Sequence, residues 1–224
     1  MRVVHIAPSI LSADFGSLFQ EMSALASAGA DFIHLDVMDG NFVPNITFGP
    51  WMLKLAKKAA PRTPVDVHLM VEDPLYWAPV FAGAGADYVS FHVERAVHLH
   101  KIIHSVKEKG AKAGLALNPG TPPCLLDSAL PHLDMIVVMG VNPGFSGQPY
   151  IPETGEKVGK VRELLKERGL SEKILVEVDG GVGGENIGEL SRAGAHVFVS
   201  GSYLFSRGSY EETIAFLKRK ALEP

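Results

Sequence analysis

The 224 residues are 46% hydrophobic and 21% charged, which supplies material for a large core and excludes wholesale disorder. Twenty-one basic against 25 acidic side chains give a net charge of −4, which argues against the basic face of a nucleic-acid binder and supports no membrane-surface role. No stretch approaches the roughly 18 apolar residues of a membrane span, the opening run meets Pro8 too early for a signal-peptide apolar region, and Cys124 is a lone cysteine, so a reducing cytoplasmic setting is expected.

In chain order, short β-branched runs predict strands over residues 3–8, 32–37, 65–70, 88–93, 113–118, 135–141, 174–179 and 197–201. The segments between them have helical periodicity. Phe15, Leu18, Met22 and Leu25 form one apolar stripe. Leu99, Ile102 and Val106 form another before Gly110, and Val158, Val161 and Leu165 a third before Gly169. Strands such as Met135-Ile136-Val137-Val138-Met139 are apolar on both faces, as a parallel sheet covered by helices requires. Ala28-Gly29-Ala30-Asp31, Ala84-Gly85-Ala86-Asp87 and Ala193-Gly194-Ala195-His196 each precede a strand, where glycine can end a helix and turn the chain. Eight strand–helix units of about 28 residues predict a single (β/α)₈ barrel over residues 1–224, with a doubly wound open sheet as the alternative.

Polar residues cluster where such a barrel carries its chemistry, at the C-terminal strand ends. Strand one ends at Ser9, strand two at His34-Leu35-Asp36-Val37-Met38, strand three at Asp66-Val67-His68-Leu69-Met70, and strand seven at Glu177-Val178-Asp179. Residues two apart on a strand share a face, so His34, Asp36, His68 and Asp179 can converge at the barrel mouth. Two imidazoles and two carboxylates suit one divalent ion such as Zn²⁺, Fe²⁺, Mn²⁺ or Co²⁺. Facing carboxylates would otherwise repel and pay for desolvation. Asp66 and Glu177, one layer deeper, are placed either to orient those ligands or to form a structural ion pair. Met38, Met70 and Met139 are placed either as a soft apolar cap or as core packing. His92 reads as a core or rim residue, His98, His100 and His104 as a solvated helix face, and Asp39 as a turn former or lid residue.

Three glycine-rich turns follow the late strands: Gly144-Phe145-Ser146-Gly147, Gly180-Gly181 and Gly201-Ser202. Their backbone N–H groups can approach an anion closely, which points to a phosphate site.

At these motifs the chain resembles the ribulose-phosphate 3-epimerase family. The matching stretches are Pro8-Ser9-Ile10-Leu11-Ser12-Ala13-Asp14-Phe15, residues 34–45, Val67-His68-Leu69-Met70-Val71, residues 141–148 and Glu177-Val178-Asp179-Gly180-Gly181-Val182. The resemblance implies a metal held by His34, Asp36, His68 and Asp179, with Asp36 and Asp179 also exchanging protons. It implies a phosphorylated ketopentose bound by Ser9, His68, Asp179 and the glycine turns (Gly144, Phe145, Ser146, Gly147, Gly180, Gly181, Gly201 and Ser202), and a homo-oligomeric assembly. Ser146 and Tyr203 depart from the smaller residues common at those positions. Inverting C3 of a 2-ketose takes a base on one face and an acid on the other, roles two carboxylates can exchange. Two competing expectations are an epimerase of a six-carbon ketose phosphate such as allulose 6-phosphate and a non-catalytic metal- or phosphosugar-binding barrel. A lyase or decarboxylase on this fold would be expected to place a lysine at a strand end, and none is found there.

Overall fold

A computed structural model describes residues 4–223. Eight strands form one all-parallel sheet: β1 (His5–Pro8), β2 (Ile33–Met38), β3 (Val65–Met70), β4 (Tyr88–His92), β5 (Lys112–Leu117), β6 (Met135–Met139), β7 (Leu175–Asp179) and β8 (Val197–Ser200). The predicted strands are all present, β3 with its predicted ends and the others within two residues of theirs; Val3, placed in the first strand by its sequence, lies outside the described residues. The spatial order β1-β8-β7-β6-β5-β4-β3-β2 is that of a barrel. Seven neighbouring pairs are joined by full ladders. At the eighth junction, between β1 and β2, the one bridge among the described residues is Ser9↔His34. There the Asp31 N–H donates to the Ile6 carbonyl at 3.0 Å, and the Ile6 N–H donates to the Asp31 carboxylate at 2.8 Å.

The helices are α1 (Leu18–Ser27), α2 (Trp51–Ala59), α3 (Pro74–Gly83), α4 (Leu99–Glu108), α5 (Thr154–Glu167), α6 (Ile187–Ala193), the short α7 (Ser202–Phe205) and α8 (Tyr210–Leu222). Local chemistry sets their ends. Asp73 caps α3 by accepting from the Tyr76 N–H, with Pro74 at the first helical position, and Ser209 caps α8 through the Glu212 N–H. The three predicted exit glycines, Gly29, Gly85 and Gly194, all take positive φ.

Two expectations differ from the structure. Phe15 lies in a 3₁₀ turn before α1 and is exposed, because Asp14 caps that turn and starts a separate element. The fifth crossover, between β5 and β6, holds two 3₁₀ turns, Pro123–Leu126 and Leu130–His132, in place of an α-helix. Pro122, Pro123 and Pro131 remove backbone donors and clash with preceding carbonyls, which stops a continuous helix.

The two-residue period of the strands divides the core. Ile33, Leu35 and Val37 of β2, with Val67 and Leu69 of β3, pack outward against the helices in the main apolar cluster. The opposite faces fill the barrel: Ala7, Tyr88, Ala116, Val137, Val197 and Val199 form the inner cluster, with Phe32 at its base. His34, Asp36, Asp66 and His68 share that inward parity, and parallel register sets Asp36 beside His68. Gly114 of β5 leaves the barrel room, since a Cβ there would lie 2.9 Å from Ser90 Cβ.

Candidate active site

The inward face ends in a cleft of about 390 Å³ at the C-terminal strand ends. Its floor is Asp36 and Asp179, 5% and 7% exposed, above the fully buried His34 and His68. Asp36 Oδ1 lies 3.3 Å from His34 Nε2 and 3.4 Å from His68 Nδ1. Asp179 Oδ2 lies 3.8 Å from His34 Nε2 and 3.0 Å from His68 Nδ1. One ligand atom from each of the four sits within 4.8 Å of all the others, so the group can hold a metal ion.

The chemistry of the group fits a cation. His34 Nε2 is buried and has no hydrogen-bond partner although two carboxylates face it, an arrangement in which its lone pair suits a metal. Burial alone would lower His34, yet the charges of Asp36 and Asp66 raise it well above the usual imidazole range. Burial opposes charge on His68 too, but hydrogen bonds and charge from Asp179 and Asp36 raise it to about 9. Asp36, despite burial, is held below the ordinary carboxylate range by His34 and His68. The floor therefore demands positive charge among its carboxylates, which a metal ion or protonated imidazoles can supply.

Beneath it, Asp66 Oδ2 lies 2.7 Å from His34 Nδ1 and Glu177 Oε1 lies 3.8 Å from the same atom. Burial and the Asp66 charge raise Glu177 well above the normal carboxyl range, and neither of its oxygens has a hydrogen-bond partner. Asp66 thus fixes the His34 ring from behind, leaving Nε2 toward the floor.

Ser9 enters from the β1 end, and its hydroxyl donates to Asp36 Oδ2 at 2.5 Å. Thr47 grips the end of β2 through the Asp36 carbonyl (2.5 Å) and the Met38 N–H (3.0 Å). Met38, Met70 and Met139 border the cleft beside the carboxylates. Gly144, Phe145, Ser146, Gly147, Gly180, Gly181, Gly201 and Ser202 also line it, whereas His68, expected against the substrate, is fully buried beneath the floor and does not line the cleft. Gly201 is needed for close approach: a Cβ there would lie 2.6 Å from Ser12 Oγ, itself 2.5 Å from Ser146 Oγ. The loop after β2 crosses to these turns, with the Asn45 side-chain amide donating to the Gly144 carbonyl at 3.1 Å. Tyr203 lines the cleft with the Arg207 guanidinium stacked 3.5 Å above its ring.

His92 does not line the cleft. It is buried behind His68, with Nε2 2.9 Å from His68 Nε2 and Nδ1 3.2 Å from Glu94 Oε2. Burial lowers it to about 4. Asp39 acts as a turn former and more: Oδ1 accepts from the Asn41 and Phe42 N–H groups and Oδ2 from the Glu72 N–H, tying two strand-end loops together. His100 and His104 are exposed on α4, as expected. Thr47, Asn45, Glu94 and Arg207 were not anticipated; Glu94, two residues beyond a strand-end His, was the most accessible signal among them.

Fold and floor together define an α/β-barrel enzyme with a buried His/Asp centre able to hold a metal ion. The chain belongs to the family described as the Ribulose-phosphate 3 epimerase family, which it matches over residues 5–205. It is 46% identical over 214 residues to ribulose-phosphate 3-epimerase of Escherichia coli (strain K12), covering 96% of this chain and 94% of that protein. It is 47% identical over 224 residues to the Synechocystis enzyme of the same name (99% and 96% covered) and 43% identical over 216 residues to that of Bacillus subtilis (96% and 99%). It is accordingly an epimerase, and membership implies a phosphosugar substrate. Among solved structures, 3-hexulose-6-phosphate synthase from Salmonella typhimurium superposes with a TM-score of 0.72 at 16% identity, covering 98% of this chain and 99% of that one. Orotidine 5'-phosphate decarboxylase from Pyrococcus horikoshii gives 0.71 at 16% identity, with 98% and 100% covered. These two share the barrel. No helix among the described residues is long and apolar enough to cross a membrane.

Proposed function

We propose that the protein interconverts D-ribulose 5-phosphate and D-xylulose 5-phosphate by inverting C3, using Asp36 and Asp179 as paired proton carriers. The observation that carries this reading is the convergence of these two carboxylates, one from β2 and one from β7, on one imidazole nitrogen at the cleft floor. His34, Asp36, His68 and Asp179 would hold one divalent cation per subunit. Bound there, that ion supplies Lewis-acid stabilisation of the negative charge that develops on the sugar oxygens.

Asp36 takes the C3 proton from ribulose 5-phosphate on one face, and Asp179 returns a proton on the other; the roles exchange in reverse. Ser9, by donating to Asp36 Oδ2, orients that carboxylate with Oδ1 toward His34 and His68. Met38, Met70 and Met139 cover the planar enediolate with apolar surface and keep water from it. Gly144 to Gly147, Gly180, Gly181, Gly201 and Ser202 cradle the phosphate at the far wall, holding the sugar still while both faces are addressed.

The chain is read as one barrel domain acting in the cytoplasm as a homo-oligomer. The test is proton exchange: with ribulose 5-phosphate in D₂O, deuterium enters C3 as xylulose 5-phosphate appears. Full epimerisation by either Asp36→Asn or Asp179→Asn would exclude the two-carboxylate mechanism. A preference for allulose 6-phosphate over ribulose 5-phosphate would exclude the five-carbon assignment.

A further inference from the structure

The polar chain behind His68 has a direction. Glu94 accepts from the Asn118 N–H at 2.9 Å and from the Thr121 hydroxyl through Oε1, while Oε2 faces His92 Nδ1 at 3.2 Å. A backbone N–H can only donate, and, against the effect of burial, these bonds and the His92 ring hold Glu94 well below the usual carboxylate range, so it is ionised and accepts on both oxygens. His92 Nδ1 therefore carries its hydrogen. In a neutral imidazole the other nitrogen is then bare, so His92 Nε2 accepts, and its partner 2.9 Å away, His68 Nε2, is the donor. With its hydrogen committed to Nε2, a neutral His68 leaves Nδ1 bare, and Nδ1 is the atom facing Asp36 Oδ1 and Asp179 Oδ2. The Phe42 ring packs 4.6 Å from His92 and holds its plane.

Without this relay the opposite tautomer of His68 would be favoured. Asp36 and Asp179 would welcome a hydrogen on Nδ1, and that hydrogen would occupy the lone pair a cation needs. We propose that His92 and Glu94 are positioning residues that lock His68 in the tautomer with Nδ1 open to the cleft floor, and so set the affinity for the divalent cation. The proposal rests on the reading of His34, Asp36, His68 and Asp179 as a cation site. Groups that orient a metal-binding histidine this way typically alter metal affinity by about 10–100-fold.

The test measures Zn²⁺ dissociation constants by competition with a chromophoric chelator for the wild-type chain and for His92→Phe, His92→Gln and Glu94→Gln, with Tm recorded alongside. His92→Phe removes the acceptor for His68 and is expected to weaken zinc binding by about 10–100-fold. Glu94→Gln places an amide where two acceptor oxygens are needed and is expected to do the same. His92→Gln can accept from His68 through its amide oxygen and donate to Glu94 through its amide nitrogen, so its affinity should stay close to wild type. A role confined to packing would instead lower Tm in both His92 variants without separating their zinc affinities. In parallel, the long-range ¹H–¹⁵N spectrum of the zinc-loaded wild-type chain should show His68 protonated at Nε2 and metal-shifted at Nδ1. This measurement stands even where a variant does not fold. Unchanged affinity in His92→Phe and Glu94→Gln, or a His68 protonated at Nδ1 in that spectrum, overturns the relay. A wild-type chain that binds no zinc overturns the cation site itself.

Discussion

Asp36 Oδ1 and Asp179 Oδ2 lie 3.4 and 3.0 Å from the same atom, His68 Nδ1, which they reach from the ends of β2 and β7. Two carboxylates that meet over one imidazole can address a small substrate from two directions while sharing one positive partner.

Replacing either carboxylate by its amide is expected to lower kcat/KM for epimerisation by roughly 10²–10⁴-fold, the usual contribution of a positioned acid or base. The two variants should differ in what survives. Asp179→Asn retains C3–H exchange with solvent from ribulose 5-phosphate, and Asp36→Asn retains it from xylulose 5-phosphate, as followed by proton NMR in D₂O.

The metal-stripped protein should lose stability as pH rises from about 6.5 to about 9. His68 is raised in the folded chain from 6.5 to about 9, so its contribution is fully present below 6.5 and is lost as pH passes through 9. His34 and Glu177, both raised well above their ordinary values, act in the same direction. His92 and His196, each lowered to about 4, change stability only below 6.5 and do not obscure this window. Differential scanning calorimetry of chelator-treated protein should show Tm falling across this range, and a flat or rising Tm would contradict it.

Zinc should reverse that loss. At a free concentration of about 100 times its dissociation constant, a ligand bound only by the folded state adds about 2.7 kcal/mol. For a chain of this size that corresponds to a rise in Tm of roughly 5–11 °C. His34→Ala, which deletes the unpartnered Nε2, should abolish the rise, as thermal melts with and without zinc will show.

Gly201→Ala should weaken substrate binding more than turnover. Its methyl would meet Ser12 Oγ and force apart the Ser12–Ser146 pair, in the part of the cleft proposed to take the phosphate. Steady-state kinetics are expected to show KM rising by about tenfold with a smaller change in kcat.

The part of the site carried by strand ends was legible because a two-residue period fixes parity: His34 with Asp36 and Asp66 with His68 follow from spacing alone. Asp66 and Glu177 each have two readings in the sequence, and the 2.7 Å His34–Asp66 contact serves both for Asp66, holding the ring in place and pairing with it as an ion when His34 is protonated. The His92–Glu94 relay was not legible, since Glu94 is held by a loop nitrogen 24 residues further on, at Asn118. Thr47 and Asn45 were hidden for the same reason: their partners, Asp36 and Gly144, are set by how loops cross, which no periodicity records. Pro122, Pro123 and Pro131 mark the missing fifth helix, which a count of eight equal units does not reveal. Phe15 was misplaced because an apolar stripe does not reveal the cap at Asp14 that breaks it.

The β1–β2 junction, joined among the described residues by the Ser9↔His34 bridge and a few hydrogen bonds in place of a ladder, is the least-laddered joint of the ring, and Asp36 stands on its β2 side, tied across it to Ser9. Any spreading of the barrel would open there first, drawing Asp36 away from Asp179 while the seven laddered neighbours kept their places. An occupant of the floor touching both sides would act as a rivet across this gap, tying the soundness of the whole wall to the contents of its mouth.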